Sequence, residues 1–174
     1  IAGVRVDFVS AGLAPLRDAA FGRLLARLAD RDLVLDVQCQ GDQFAAIAKA
    51  LADVPVRTVV DHLGRPHPEK GLDAPGFRAL LGMAASGRVV VKLSGPMRCS
   101  REAAPYRDLD PFCAALLREY SARQLVWGSD WPFLRSDRRF DYGPLLTWLA
   151  RVVPQESERR LLLATTPARW FGFA

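Results

Sequence analysis

The sequence has 174 residues, of which 50% are hydrophobic and 25% are charged, which is the ordinary balance of a globular domain. A chain of this length buries roughly 70% of its unfolded surface, so we expect one core and a single domain over residues 1–174. The apolar content excludes a disordered chain. The sequence lacks the run of about 18 apolar residues that a membrane span requires, so no membrane association is expected.

Charge and cysteine content narrow the possible partners. The chain has 24 basic and 19 acidic side chains, a formal net charge of +5. Its arginines are scattered among acidic residues rather than clustered, so nucleic acid is not expected as a partner. The net positive charge indicates a small anionic substrate. Cys39, Cys99 and Cys113 are widely spaced and odd in number, which predicts neither a disulfide framework nor a zinc knuckle. A reducing, cytoplasmic location fits this pattern.

The pattern of apolar residues predicts alternating strands and helices. Short runs rich in β-branched residues predict five strands, at residues 3–8, 33–39, 56–62, 88–94 and 124–130. Apolar residues recur at helical spacing between the strands, over residues 13–28 for example, and most clearly over residues 109–120. Two more helices are predicted, near residues 142–153 and 156–164. This order predicts βαβ units and an α/β fold with a parallel sheet.

Polar side chains stand where three successive predicted strands end. Asp61 and His62 end the third strand, Arg98 follows Ser94 at the end of the fourth, and Asp130 ends the fifth. The carboxyl ends of parallel strands meet at one edge of a sheet, and this edge forms the active face of (β/α) folds. We therefore expect these side chains to share one crevice.

Asp130 and His62 are the candidate catalytic residues. Asp130 can accept a proton from water, although an aspartate after a strand also commonly caps a loop or a helix. His62 can polarise a carbonyl, shuttle a proton or bind a metal, whereas a lone histidine is also commonly a hydrogen-bonded structural group. The position of His62 at a strand end favours the functional interpretation.

Arg5, Arg65 and Arg98 are the candidate substrate-binding residues. Guanidinium groups bind carboxylates through paired hydrogen bonds, and the alternative for each arginine is a surface salt bridge. Arg5 lies inside an apolar strand, where a charge is costly unless it is paired or points into a polar barrel mouth. Lys92 also lies inside a strand, and we expect it to pair with a carboxylate rather than to act as a nucleophile.

Four segments of the chain carry a family resemblance. They read VVDHLGRP (residues 59–66), VKLSGPMR (91–98), VWGSDWP (126–132) and PARWFGF (167–173). In this order they resemble the amidohydrolase superfamily, and most closely its lactonase-like branch, which includes 2-pyrone-4,6-dicarboxylate lactonase. The resemblance implies a (β/α)8 TIM barrel, of which this chain is the C-terminal portion, about strands 4 to 8. The first strands of the barrel and their His-x-His motif are then absent from the chain.

The resemblance also implies an activity, the hydrolysis of a carboxylated lactone that is either 2-pyrone-4,6-dicarboxylate-like or a sugar lactone. Asp130 would activate water and His62 would polarise the carbonyl. Arg5, Arg65 and Arg98 would bind substrate carboxylates.

Substrate and cofactor both stay open. The dicarboxylate enzymes of this branch carry a further arginine where this chain has Ala11, so a monocarboxylate is an alternative substrate. The cofactor is either none or a divalent metal such as zinc, for which only His62 and Asp130 are candidate ligands in this chain.

An open five-stranded remnant of a barrel would leave strand edges and an apolar face uncovered. We therefore expect a missing N-terminal segment or a separate segment to complete the barrel, and residues 1–174 alone to lack turnover. A homo-oligomer is a further alternative for the partner. Two alternatives to lactone hydrolysis remain. One is a non-catalytic or truncated barrel fragment, and the other is an aromatic-acid decarboxylase or hydratase of the same superfamily.

Overall fold

A computed structural model describes residues 2–136 and 138–173, and it contains a parallel sheet of five strands in this part of the chain. The strands are β1 (Gly3–Asp7), β2 (Val34–Gln38), β3 (Arg57–Val60), β4 (Val89–Ser94) and β5 (Leu125–Gly128). Their order in the sheet is their order along the chain, and each neighbouring pair is parallel. The α/β class is confirmed, and each predicted strand lies within two residues of the observed one at either end.

Helices connect the strands and follow the last one. They are α1 (Phe8–Ala11), α2 (Ala19–Asp30), α3 (Gln43–Leu51), α4 (Pro75–Gly82), α5 (Asp110–Tyr120), α6 (Tyr142–Val152), α7 (Glu156–Arg160) and α8 (Thr166–Phe171). A π-helical segment, Leu161–Thr165, joins α7 to α8. A tight turn follows β3 at His62–Gly64, and a short 3₁₀ turn follows β4 at Pro96–Arg98. In the described residues, no helix combines the length and hydrophobicity that a membrane crossing requires.

Two helical predictions were wrong in their extent. Residues 13–28 do not form one helix, because a 3₁₀ helix at Ala14–Arg17 precedes α2. The Asp18 side chain accepts a hydrogen bond from the Ala20 amide at 2.8 Å and so caps the amino end of α2 as a separate helix. The last predicted helix continues past residue 164, since the π-helical segment leads directly into α8.

One face of the sheet packs against the helices and forms the main core. Leu35, Val37, Val60, Val91 and Leu93 point to this face and are fully buried. The helices contribute the large buried side chains Phe44, Leu80, Leu116, Tyr120 and Trp148. Each such side chain contributes about 1.5–3 kcal/mol by leaving water, so this face holds the sheet rigid beneath its loops.

The opposite face of the sheet carries an apolar layer near the amino ends of the strands. Val34, Val59, Val90 and Val126 form a separate buried cluster with Trp170 of α8. The Arg57 guanidinium stacks on the Trp170 ring at 4.9 Å and donates to the Trp170 carbonyl. The PARWF sequence of α8 therefore covers this face near the amino ends of the strands.

Charged residues occupy the next layer of the same face. Lys92 Nζ lies 3.0 Å from Asp36 Oδ2 and 2.7 Å from Asp61 Oδ1, and Arg5 pairs with Asp61 Oδ2. Burial would lower the pKa of Lys92, but Asp61 and Asp36 raise it above its usual value. Lys92 is therefore an ion-paired ammonium, as expected, and not a neutral nucleophile.

Candidate active site

A cavity of about 560 Å³ lies at the carboxyl ends of the strands. All five candidate residues line it, namely Arg5, His62, Arg65, Arg98 and Asp130. The remaining lining residues are Asp7, Val9, Gln38, Trp131, Pro132, Leu134 and Arg135. The structure thus brings the predicted site residues together in one hollow, and their individual roles stay predictions.

A tight turn after β3 points two of these residues into the cavity. His62, Leu63, Gly64 and Arg65 have φ values of 51°, 58°, 74° and 46°, all in the left-handed region. A non-glycine residue held there costs on the order of 1 kcal/mol or more. Hydrogen bonds within the turn hold it, from the Gly64 amide to the Asp61 carbonyl at 2.9 Å and from the Arg65 amide to the His62 carbonyl at 2.7 Å.

The turn after β4 fits closely against the imidazole of His62. Ser94 Oγ lies 2.9 Å from His62 Nδ1. Gly95 has a φ of 54°, and a Cβ added there would lie 2.6 Å from the same nitrogen. Only glycine therefore allows the backbone to approach the ring this closely. Sequence reasoning did not single out Ser94 and Gly95 as site residues, although both lie in the VKLSGPMR motif that carries the resemblance.

His62 is neutral near pH 7. Burial lowers its pKa to about 4 even though Asp61 and Asp130 favour the charged form, and the charges of Arg65 and Lys92 add to the effect of burial. The Nε2 atom lies 3.5 Å from Asp130 Oδ1. A proton on Nε2 suits this carboxylate, whereas a lone pair there would be repelled, so Nδ1 accepts a hydrogen bond from the Ser94 hydroxyl.

Arg98 holds Asp130 in place. Its Nε donates to Asp130 Oδ2 at 2.7 Å, and its Nη2 donates to the Leu134 carbonyl at 2.7 Å. The side chain of Arg98 is only 14% exposed, so this ion pair is shielded from water. The Oδ1 atom of Asp130 is left facing His62 and the cavity. Arg98 is thus engaged by Asp130 and Leu134, and the carboxylate-binding role that the sequence suggested for it stays a prediction.

The other two predicted arginines differ in their availability. The Arg5 side chain is ion-paired with Asp61, in agreement with the paired alternative of the sequence analysis. The Nε atom of Arg65 is buried and has no hydrogen-bond partner among the described residues. Arg65 also lines the cavity, so an anion bound there would meet its guanidinium.

A fourth arginine, Arg135, was missed by the sequence analysis. It lies in the loop after β5, and its Nη1 reaches Ser10 Oγ at 3.0 Å and Asp7 Oδ2 at 3.5 Å. Ser10 precedes Ala11, where the resemblance expects an arginine that this chain lacks. The Arg135 guanidinium therefore reaches this part of the cavity from a loop that is distant in sequence. No local sequence pattern predicts this contact.

The donor set does not fit a closed metal site. Within residues 2–136 and 138–173 there is no group of three or more His, Cys, Asp or Glu side chains that could hold a metal ion. His62 and Asp130 are two candidate ligands, but Asp130 is already paired with the Arg98 guanidinium. A structural zinc site takes four protein ligands and a catalytic one takes three, so this part of the chain cannot hold zinc by itself.

The fold and the cavity define an enzyme-like α/β domain whose polar residues collect at the carboxyl ends of its strands. A family model described as amidohydrolase matches residues 1–173. The chain belongs to the amidohydrolase family, and the resemblance carried by the four sequence segments is thereby confirmed.

Curated relatives of this chain are named as lactone hydrolases. The chain is 31% identical to 4-sulfomuconolactone hydrolase of Hydrogenophaga intermedia, over 98% of this chain and 57% of the relative. It is 32% identical to L-fucono-1,5-lactonase of Burkholderia ambifaria, over 77% of this chain and 46% of the relative. The chain therefore spans about half the length of the curated relatives that it matches.

Solved structures show the same fold. A Pseudomonas putida protein assigned as a 2-pyrone-4,6-dicarboxylic acid hydrolase superposes with a TM-score of 0.88 at 30% identity, covering 99% of this chain and 64% of that one. An amidohydrolase from Burkholderia multivorans with bound zinc superposes with a TM-score of 0.84 at 26% identity, covering 100% of this chain and 65% of that one.

Proposed function

We propose that this chain is part of a lactone hydrolase that opens an anionic lactone with water activated by Asp130. One observation carries the proposal. Asp130 Oδ1 and Nε2 of the neutral His62 imidazole lie 3.5 Å apart in a cavity that Arg65 also lines. The names of the relatives support an ester bond within a ring as the bond that is broken.

The geometry supports a reaction in two steps. In the first, Asp130 Oδ1 takes a proton from water as the water oxygen bonds to the lactone carbonyl carbon. The Nε2–H of His62 donates to the carbonyl oxygen and stabilises its developing negative charge. In the second, the ring C–O bond breaks and Asp130 returns the proton to the leaving oxygen. The product is a hydroxy acid, or its keto tautomer, and the aspartate is regenerated.

The arginines have different tasks in this proposal. Arg65 binds an acid group of the substrate, because it places a guanidinium at the cavity wall. Arg98 orients Asp130 and anchors the Leu134 carbonyl. Arg5 contributes positive potential at the cavity wall while it stays paired with Asp61.

We further propose that the sheet is the C-terminal part of a (β/α)8 barrel, about strands 4 to 8. The sequential parallel order supports this, as do the layers of valine and of charge on one face. Coverage of 57% of a curated relative also supports it. Further strands would pair with the edges at β1 and β5, supplied by an N-terminal segment or by another copy of the chain. Any zinc ligands beyond His62 and Asp130 would have to come from these strands.

The test is a panel of lactones assayed on the complete gene product and on Asp130→Asn, which keeps the shape of the side chain but cannot act as a base. The panel contains a lactone with two carboxylates, one with one carboxylate and a neutral sugar lactone. We expect turnover of at least one anionic lactone, and a loss in kcat of at least 100-fold, on the order of 3 kcal/mol, in the variant. Full activity of Asp130→Asn would overturn the mechanism. Decarboxylation of hydroxybenzoates with no lactone turnover would overturn the function.

A further inference from the structure

The loop after β5 closes one side of the cavity. Trp131, Pro132, Leu134 and Arg135 of this loop line the cavity, and the Leu134 carbonyl is held by Arg98 at 2.7 Å. Arg135 extends from the loop to Ser10 in α1, which follows β1 at the opposite edge of the sheet. Arg135 is thus the cavity arginine that connects the two edges of the sheet.

Arg135 differs from the inner cations of the site in how it is held. Lys92 lies within 3.0 Å of a carboxylate, Arg98 lies at 2.7 Å from one, and both side chains are at most 25% exposed. Arg135 lies 3.5 Å from Asp7, and its side chain is 74% exposed. Its ion pair is therefore loose and hydrated, and such a pair contributes little to stability.

Asp7 does not depend on Arg135. Its Oδ1 accepts hydrogen bonds from the Val9 amide at 3.0 Å and the Ser10 amide at 3.2 Å. Its Oδ2 accepts the Ser10 hydroxyl at 2.6 Å. The Arg135 guanidinium can therefore turn to another anion without leaving a carboxylate unsatisfied.

We propose that Arg135 is a specificity-determining residue that binds a second carboxylate of the substrate at the rim of the cavity beside α1. The inference rests on the proposed function and adds a residue to it. Arg65 binds one acid group deeper in the cavity, and Arg135 exchanges its contacts with Asp7 and Ser10 for the other. A substrate with one acid group gains nothing from Arg135, so this residue sets the preference between dianionic and monoanionic substrates.

The first test measures binding and does not depend on turnover. Glutarate and butyrate, which carry two carboxylates and one, are titrated calorimetrically into the complete gene product and into Arg135→Gln. We expect the variant to bind glutarate about tenfold or more weakly and butyrate within about twofold of the parent. Arg135→Lys should recover part of the glutarate affinity, because it keeps the charge without the fork.

Arg139→Gln is the matched control. Arg139 lies in the same loop region, pairs with Asp141 and is 89% exposed, and it does not line the cavity. Its removal should change neither affinity. Equal losses for glutarate and butyrate in Arg135→Gln, or no loss for glutarate, would overturn the proposal and identify Arg135 as a brace between the loop and α1.

The second test separates this inference from the proposed function. Where lactones are turned over, Arg135→Gln should lower kcat/KM about tenfold or more for a dianionic lactone and leave a monoanionic one nearly unchanged. Selective loss of glutarate binding without any lactone turnover would contradict the function and support the role of Arg135. Lactone turnover with no selectivity in Arg135→Gln would contradict the role of Arg135 alone.

Discussion

The hydroxyl of Ser94 lies 2.9 Å from Nδ1 of His62, on the side of the ring away from Asp130. Since the ring is neutral, a hydrogen bond donated by this hydroxyl leaves the proton on Nε2, where it faces the cavity. Asp130 favours the proton on Nε2, and Ser94 at the end of β4 satisfies the other ring nitrogen. The position and the protonation of the imidazole therefore both depend on how the sheet places the ends of neighbouring strands.

Ser94→Ala tests this relationship. Without the hydroxyl the buried Nδ1 loses its hydrogen bond and the ring is held less firmly, so we expect kcat to fall about tenfold while KM changes little. The pKa of His62 should rise, because a hydrogen bond that favours its neutral form is gone. Activity should therefore be lost at a higher pH on acidification. Nitrogen-15 NMR of the imidazole should show the proton still on Nε2 and an Nδ1 that has lost its hydrogen bond. Ser157→Ala, on the exposed side of α7, is the control, and equal effects of the two variants would contradict the assignment.

The low pKa of His62 predicts a specific dependence of stability on pH. The folded-state pKa is about 4, below the ordinary value of 6.5, so the unfolded chain binds more protons between these values. The stability that the folded state has while His62 is neutral is fully present above pH 6.5. It is lost as the pH falls towards 4, which lowers the free energy of unfolding by up to about 3 kcal/mol. Urea unfolding at pH 7.0, 5.5 and 4.5 measures it. His62→Gln should flatten the curve, and parallel curves for parent and variant would show that His62 does not contribute.

Gly95 should tolerate no side chain. A Cβ would lie 2.6 Å from His62 Nδ1, and the φ of 54° adds backbone strain, so we expect Gly95→Ala to lower the free energy of unfolding by about 2 kcal/mol. It should also reduce activity, by displacing the imidazole. Gly143→Ala is the control, because a Cβ there meets nothing within 4 Å and its backbone is helical. Gly143→Ala should leave the free energy of unfolding unchanged or raise it by about 0.5 kcal/mol. A Gly95→Ala protein as stable as Gly143→Ala would contradict the close approach of the Gly95 backbone to the His62 ring.

The sequence predicts the sheet well because the strands follow the period and composition of their own residues. It also predicts the edge where His62, Arg65, Arg98 and Asp130 meet, since parallel strands must end together. The link between Arg135 and Ser10 is different in kind, because 125 residues separate the two and the loop has no period. Nor can the sequence show that Arg98 is engaged by Asp130, because the direction of a guanidinium depends on packing that forms only in three dimensions.

The charged layer beneath the cavity predicts a large effect of a single substitution. Lys92 bridges Asp36 and Asp61, and Asp61 is 2% exposed. Lys92→Met therefore leaves two carboxylates facing each other, with Arg5 as the cation still paired with Asp61. We expect a loss of about 3 kcal/mol in the free energy of unfolding. Adding Asp36→Asn to this variant should recover part of the loss, because it removes one of the two negative charges.

The matched control for this layer is Lys70→Met. Lys70 Nζ lies 2.6 Å from Asp42 Oδ2, a similar ion pair in which the side chains are 48% and 40% exposed. Water screens this pair, so its loss should change stability far less than the loss of Lys92 does. Chemical denaturation of both variants at the same pH and ionic strength compares the two sites directly. Similar values for Lys92→Met and Lys70→Met would mean that water reaches the inner layer and that the sheet does not shield the charges below the cavity.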